Sequence, residues 1–284
     1  PILYSAISKS AAMLKVAHAE ELLDTQGIGA LNNYWEKILE EGARGKSKAA
    51  KNIISNEEIK DAIRETRKLF ASNVQHPKYK ELKRIILEQF KAKPKSKIIV
   101  FNHYRDSIKE VVNFLKDEKK IHATRFIGQA TKGTEKGMSQ KVQQQVLDEL
   151  REGKHNVLVA SSVAEEGLDI PSVELVVFFE PVPSEIRTIQ RRGRTGRFGK
   201  GKTIILMAKG TRDEAFYWTA KNKEKKMKTT LNRIKGTALP EQSTLLSFSE
   251  NEAEEKIIVF VDSREQASNV TKKLFDREVK VIMK

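Results

Sequence analysis

Five short apolar runs, at residues 97–101, 123–127, 156–160, 175–179 and 203–207, alternate with stretches of helical spacing, and no other feature limits the fold as tightly. A run such as Lys97-Ile98-Ile99-Val100-Phe101 lacks the every-second-residue polarity of a strand with one wet face. It predicts a strand buried on both sides. Residues 108–115, 139–151 and 184–193 carry apolar side chains at three- and four-residue intervals and predict the helices between such strands. Strands that alternate with helices form parallel sheets covered on both faces, so the expected fold class is α/β.

Residues 5 to 92 follow a different pattern, rich in Ala, Leu, Glu and Lys, with Ile59, Ile63 and Leu69 or Leu82, Ile85 and Ile86 at helical spacing. This segment is expected to be all helix. Ser55 followed by Glu58 reads as a capping box, and Pro77 suits the first turn of a further helix. Residues 42–48, Gly-Ala-Arg-Gly-Lys-Ser-Lys, read as a joint. Residues 240–256 are acidic and without periodicity and read as a linker, after which the apolar run at 257–261 predicts a new strand. With Pro1 at one end and a strand-like Val281-Ile282-Met283-Lys284 at the other, the chain reads as a piece of something longer.

Lys and Arg outnumber Asp and Glu by 53 to 38, a formal net charge of +15 that favours a polyanionic partner, nucleic acid first. The absence of cysteine excludes disulfides, thiolate metal sites and a cysteine nucleophile. The five histidines, at 18, 76, 103, 122 and 155, lack metal-ligand spacing, and no metal site is expected. No apolar run approaches the roughly 20 residues that span a bilayer, and no signal-peptide layout opens the chain. A cytoplasmic protein is expected.

Gln190-Arg191-Arg192-Gly193-Arg194-Thr195-Gly196-Arg197 gathers guanidinium groups beside glycines at a helix end. Such a cluster repels itself unless an anion is present, and it suits the spread negative charge of a phosphoryl group in transfer. Upstream, residues 157–171 run from a strand into a turn of small residues, placed where parallel sheets bind ligands. There Ser161 and Ser162 can donate hydroxyls to a nucleic-acid backbone, and Asp169 can accept from a ribose or orient an arginine. Residues 196–203 also match the spacing of a P-loop, but a working P-loop opens a helix, whereas this one leads into the apolar run at 203–207.

These two strings resemble motifs V and VI of superfamily 2 helicases, and Lys97-Ile-Ile-Val-Phe-Asn-His-Tyr-Arg105-Asp106 resembles their motif IV. Gly128-Gln129-Ala130, Gly137-Met138-Ser139-Gln140 and Val163-Ala-Glu-Glu-Gly-Leu-Asp-Ile170 look closest to the archaeal Hef and FANCM branch, which remodels forked and branched DNA. Ser161 stands where threonine is usual, and Thr134-Glu135-Lys136 lengthens the loop before Gly137. The resemblance implies a RecA-like lobe at 93–239, a helical insertion domain at 1–92, the linker at 240–256 and the truncated start of an XPF-type nuclease domain at 257–284. It implies ATP and Mg²⁺ held mainly by a first motor lobe, since no P-loop in proper context and no Asp-Glu-x-His or Asp-Glu-x-Asp box occurs here.

Carried over by position, Arg194 and Arg197 would meet the γ-phosphate, Gln190 would position them, and Gly167 and Asp169 would sense nucleotide. Asn102, Arg105, Gly128, Gln129, Ser139, Gln140, Ser161 and Ser162 would hold the nucleic-acid backbone. Lys46, Lys48, Lys51, Lys60, Arg64, Arg67 and Lys68 would lie near duplex DNA. Gln242, Leu245 and Phe248 have the spacing of peptides that dock on a sliding clamp, a further expected partner beside DNA and the first lobe. Two readings stand at this point: the second half of an ATP-driven DNA motor, inactive as the isolated fragment, and a non-enzymatic nucleic-acid-binding module that keeps the lobe as scaffold.

Overall fold

The computed structural model describes residues 2–131, 136–164, 170–192, 194, 201–237 and 255–261. They form two compact units, one within the first 80 residues and one from Glu81 to Phe260. In the first, α1 (Ile2–Thr25), α2 (Ile28–Ala43), α3 (Lys48–Ser55), α4 (Glu57–Ala71) and the opening of α5 (Pro77–Ala92) realise the all-helical expectation. One face of α2 buries Ile28, Leu31, Trp35 and Ile38, and these pack with Leu23, Ala50, Ile53, Ile59 and Ile63. Trp35 is fully buried, and a side chain of that size dominates so small a core.

Helix ends here are settled by side-chain acceptors. Ser47 accepts from the Ala50 N–H at 3.1 Å, so the joint at 42–48 ends in a capped helix. The expected capping box at Ser55 and Glu58 does not form: Asn56 caps α4, accepting from the Ile59 N–H at 3.0 Å. Ser55 instead closes α3, its hydroxyl donating to the Asn52 carbonyl at 2.9 Å. Asn is as good a cap as Ser, and here it is one residue nearer the helix.

The turn between α1 and α2 is closed by buried polar groups. Gly27 has φ of 100°, and a Cβ there would lie 2.7 Å from the His76 Cβ, so both conformation and space require glycine. His76 Nε2 donates to the Asp24 carbonyl at 3.0 Å, and its Nδ1 accepts from the Lys78 N–H at 3.2 Å. The fully buried Lys78 donates from Nζ to the Thr25 carbonyl at 3.0 Å. Burial, and then the neighbouring Lys78 charge, push the His76 pKa down to about 3.

The second unit is the α/β layer system that the apolar runs predict. Its strands are β1 (Ile98–Phe101), β2 (Ala123–Phe126), β3 (Val157–Ala160), β4 (Leu175–Phe178), β5 (Lys202–Ala208) and β6 (Glu255–Val261). The helices are α6 (Arg105–Leu115), α7 (Gln140–Glu152), α8 (Glu185–Arg192) and α9 (Arg212–Thr237). Strand order across the sheet is β2-β3-β1-β4-β5-β6, and the four pairings from β2 to β5 are parallel. Every residue of β1, β3 and β4 is buried, as continuous apolar runs require when helices cover both faces.

Lys202 and Thr203 lie in β5, so the string at 196–203 leads into a strand and not a phosphate-binding helix. The run expected to open a further domain sits at the edge of this same sheet beside β5. An apolar strand can pair with any reachable sheet edge, and its sequence does not say which sheet that is. No helix among the described residues is long and apolar enough to cross a membrane.

Candidate nucleic-acid and nucleotide interface

Register brings the candidate residues together. Phe126, Ala160, Phe101 and Phe178 pair in one row across β2, β3, β1 and β4, each the last residue of its strand. The chains that leave this row therefore share the carboxyl edge of the sheet, where parallel sheets bind ligands. The ladder continues one step further: the Ser161 N–H donates to Phe126, that of Asn102 to Ala160 and that of Phe179 to Phe101, each at 2.9 Å.

Beyond β2 the chain makes a loop fitted against its neighbours. The Met138 N–H donates to the Gly128 carbonyl at 3.2 Å, and Gln143, buried on α7, donates to the Ile127 carbonyl at 2.8 Å. A Cβ on Gly137 would fall 2.0 Å from the Gln129 carbonyl oxygen, so only glycine lets the two stretches lie flat on each other. Arg105 donates to the Gly128 carbonyl at 3.2 Å and to that of Ala130. This arginine, expected to meet nucleic acid, thus braces the Gly128 loop with at least two of its donors. Gln129, Ser139 and Gln140 are exposed around the loop and Gly128 is half-buried, while the Ser139 hydroxyl accepts from the Val142 N–H at 3.4 Å as the cap of α7. A helix N-terminus carries unpaired N–H groups and partial positive charge, a suitable seat for a phosphate.

Ser161 is nearly buried and Ser162 exposed at the end of β3, so Ser162 offers its hydroxyl more freely. Asn102 requires a correction. It is fully buried, and its Oδ1 accepts from the Tyr104 N–H at 2.8 Å. Its amide shapes the turn from β1 into α6 and has no route to a backbone phosphate. The buried Glu180 makes a similar tie, accepting from the His103 N–H at 2.6 Å.

Gln190 lies within α8 and Arg194 just after it, where Arg194 meets the far end of the connection from β3 to β4. Ser184 starts α8, its hydroxyl accepting from the Arg187 N–H at 3.4 Å. After the helix, the Arg194 carbonyl accepts from the Val173 N–H at 3.2 Å, two residues before β4 begins. Both Gln190 and Arg194 are half-buried. Residues 161–173 therefore link the carboxyl edge, at Ser161, to the neighbourhood of Arg194. Gly167, Asp169 and Arg197 fall outside the described residues, as do Gln242, Leu245 and Phe248.

Arg191 has a role that its place in the arginine string conceals. Its side chain is fully buried, with the guanidinium carbon 4.8 Å from the Phe101 ring centroid and 5.5 Å from that of Phe178. The two rings meet edge to face at 6.1 Å. A planar cation on aromatic faces gains cation–π attraction, and here it locks α8 onto β1 and β4. The available signal was the three-residue interval from Thr188, also buried, which puts Arg191 on the inner face of α8. Of the basic residues in the helical unit, Lys60, Arg64, Arg67 and Lys68 are paired with Glu57, Asp61, Glu36 and Glu65. Lys46, Lys48 and Lys51 are exposed. Among the described residues no three carboxylate or imidazole groups converge.

The family described as helicase conserved C-terminal domain matches residues 77–199, and one described as an ATP-dependent RNA helicase helical bundle matches residues 2–75. The crystal structure of the Pyrococcus furiosus Hef helicase domain superposes with a TM-score of 0.57 at 53% identity, over 74% of this chain and 42% of that one. The ATP-dependent RNA helicase MJ1505 of Methanocaldococcus jannaschii is 42% identical over 81% of this chain, which spans 28% of it. The ATP-dependent DNA helicase mph1 of Neurospora crassa is 36% identical over 75% of this chain, which spans 19% of it. On its helical bundle, its conserved lobe and this geometry, the chain belongs to the superfamily 2 helicases of the Hef and FANCM branch.

Proposed function

We propose that this lobe is the arginine-bearing half of an ATP-driven motor that moves on forked or branched DNA. The observation that carries the reading is the 161–173 connection, one end of which opens on the carboxyl edge while the other is tied to Arg194. Nucleotide state and backbone grip then act on the same stretch of chain, as a motor requires. Arg194 and Arg197 meet charge that grows on the transferring phosphoryl group, Gln190 orients them, and Gly167 and Asp169 read the nucleotide. Mg²⁺, held with the triphosphate mainly by residues of a first lobe, would supply neutralisation of the phosphate charge. Gly128, Gln129, Ser139, Gln140, Ser161 and Ser162 hold one strand through its phosphates. The residues that cradle the triphosphate belong to a first lobe, so this chain alone turns over no ATP.

Phosphate contacts make binding sequence-independent and salt-dependent. Fluorescence anisotropy with labelled single-stranded, duplex and forked DNA tests this on the 284-residue chain. Affinity falls at least tenfold between about 50 and about 200 mM salt, is unchanged by scrambling the sequence, and is highest for the fork. Flat salt dependence or strong sequence preference contradicts the reading. Gln242, Leu245 and Phe248 are proposed to dock on a sliding clamp. A peptide of residues 240–250 that gives no binding heat with the cognate clamp at high micromolar concentration ends that part of the proposal.

A further inference from the structure

We propose that the exposed face of α9 is a second contact for single-stranded nucleic acid, separate from the carboxyl edge. It builds on the reading of the chain as a nucleic-acid binder. The helix is longer than its support: its 26 residues extend about 39 Å, whereas the seven residues of β5 extend about 23 Å. Its inner face is buried at Asp213, Tyr217 and Ala220, and thereafter only half-buried, at Glu224 and Met227. The outer face carries Trp218, Lys221, Lys225 and Lys228 at intervals of three and four residues, which aligns them in one stripe.

This stripe concentrates positive charge that a polyanion would neutralise. Residues 221–228 hold five lysines and a single acid, Glu224. All five lysines are exposed, and Glu224 approaches Lys228 at 3.8 Å. Lys221 and Lys225, like charges four residues apart, repel each other along the helix. A large aromatic ring stands at the head of the stripe: Trp218 is 50% exposed, and the Lys221 ammonium lies 4.9 Å from its ring centroid. A π-face and a row of ammonium groups are the two features that hold an unpaired base and the phosphates that follow it. An acidic peptide would use the lysines and leave the ring unused.

The chain contains two tryptophans, and the other, Trp35, is fully buried, so Trp218 emission can be isolated with Trp35→Phe. That variant is titrated with an unlabelled single-stranded oligonucleotide, and the same strand, labelled, is followed by anisotropy. Trp218 emission is expected to be quenched by half or more, with a midpoint that matches the anisotropy curve. The double variant Lys221→Glu and Lys225→Glu is expected to weaken binding at least tenfold and reduce the logarithmic salt slope by about 1.4, at about 0.7 per lost phosphate contact on a single strand. Its circular dichroism melt is expected to be unchanged, which separates loss of contact from loss of fold. Anisotropy that rises with Trp218 emission unchanged overturns the α9 contact and leaves the carboxyl-edge reading intact. No anisotropy change with any strand removes both. Polyglutamate that quenches Trp218 as strongly as the oligonucleotide makes the face a general polyanion surface and overturns the assignment to nucleic acid.

Discussion

His76 shows how one buried side chain couples the fold to pH. With Nδ1 accepting from Lys78 and Nε2 donating to Asp24, the ring is neutral, and protonation at Nδ1 would remove an acceptor beside a buried ammonium. The folded pKa of about 3 lies below the ordinary histidine value of 6.5. The unfolded chain therefore binds the extra proton between these values. The stability contributed by neutral His76 is fully present above about pH 6.5 and is lost as pH falls towards about 3, by about 1.4 kcal/mol per unit. Thermal melts of the wild type and of His76→Gln between pH 7 and pH 5 check this: the wild type loses the larger share of its stability on acidification. Parallel slopes for the two proteins would show that another group carries the dependence.

The elements divide into those that local chemistry dictates and those that depend on distant partners. Strands β1, β3 and β4 were legible because a parallel strand buried on both faces is apolar along its length, and α5 because Pro77 suits the first turn of a helix and apolar residues at helical spacing follow it. Two neighbouring residues can both cap a helix, so Ser55 and Asn56 were separable only by geometry. The inward turn of Asn102 and the buried stack of Arg191 were hidden for a related reason: a polar side chain carries no sign of which face it takes until the sheet exists. The loop from Gly128 to Gly137 was recognisable by its glycines, while the use of Arg105 as its brace was not. Gly137→Ala pushes a methyl group into the Gln129 carbonyl, at a cost of about 1–3 kcal/mol. This substitution is expected to weaken single-stranded DNA binding about tenfold or more. Anisotropy alongside a thermal melt checks it, and unchanged affinity in a protein that has lost stability would place the loop outside the interface.

At the scale of the molecule, this chain is one part of a longer machine in the relatives it matches, spanning 28% of the Methanocaldococcus helicase and 19% of the Neurospora one. Its contribution follows from charge: an excess of 15 positive charges suits a polyphosphate track. Arg194, two residues beyond α8, is tied by its backbone carbonyl to Val173 at the end of the connection that leaves the sheet edge at Ser161, and its proposed charge on the transferring phosphoryl group is open to direct test. The most direct measurement is steady-state, DNA-stimulated ATPase of the protein that contains both motor lobes, with and without Arg194→Ala. kcat is expected to fall about 100-fold or more while DNA affinity changes little, since an arginine that acts on the transition state leaves the ground-state complex intact. A kcat within threefold of the wild type would remove Arg194 from the hydrolysis step.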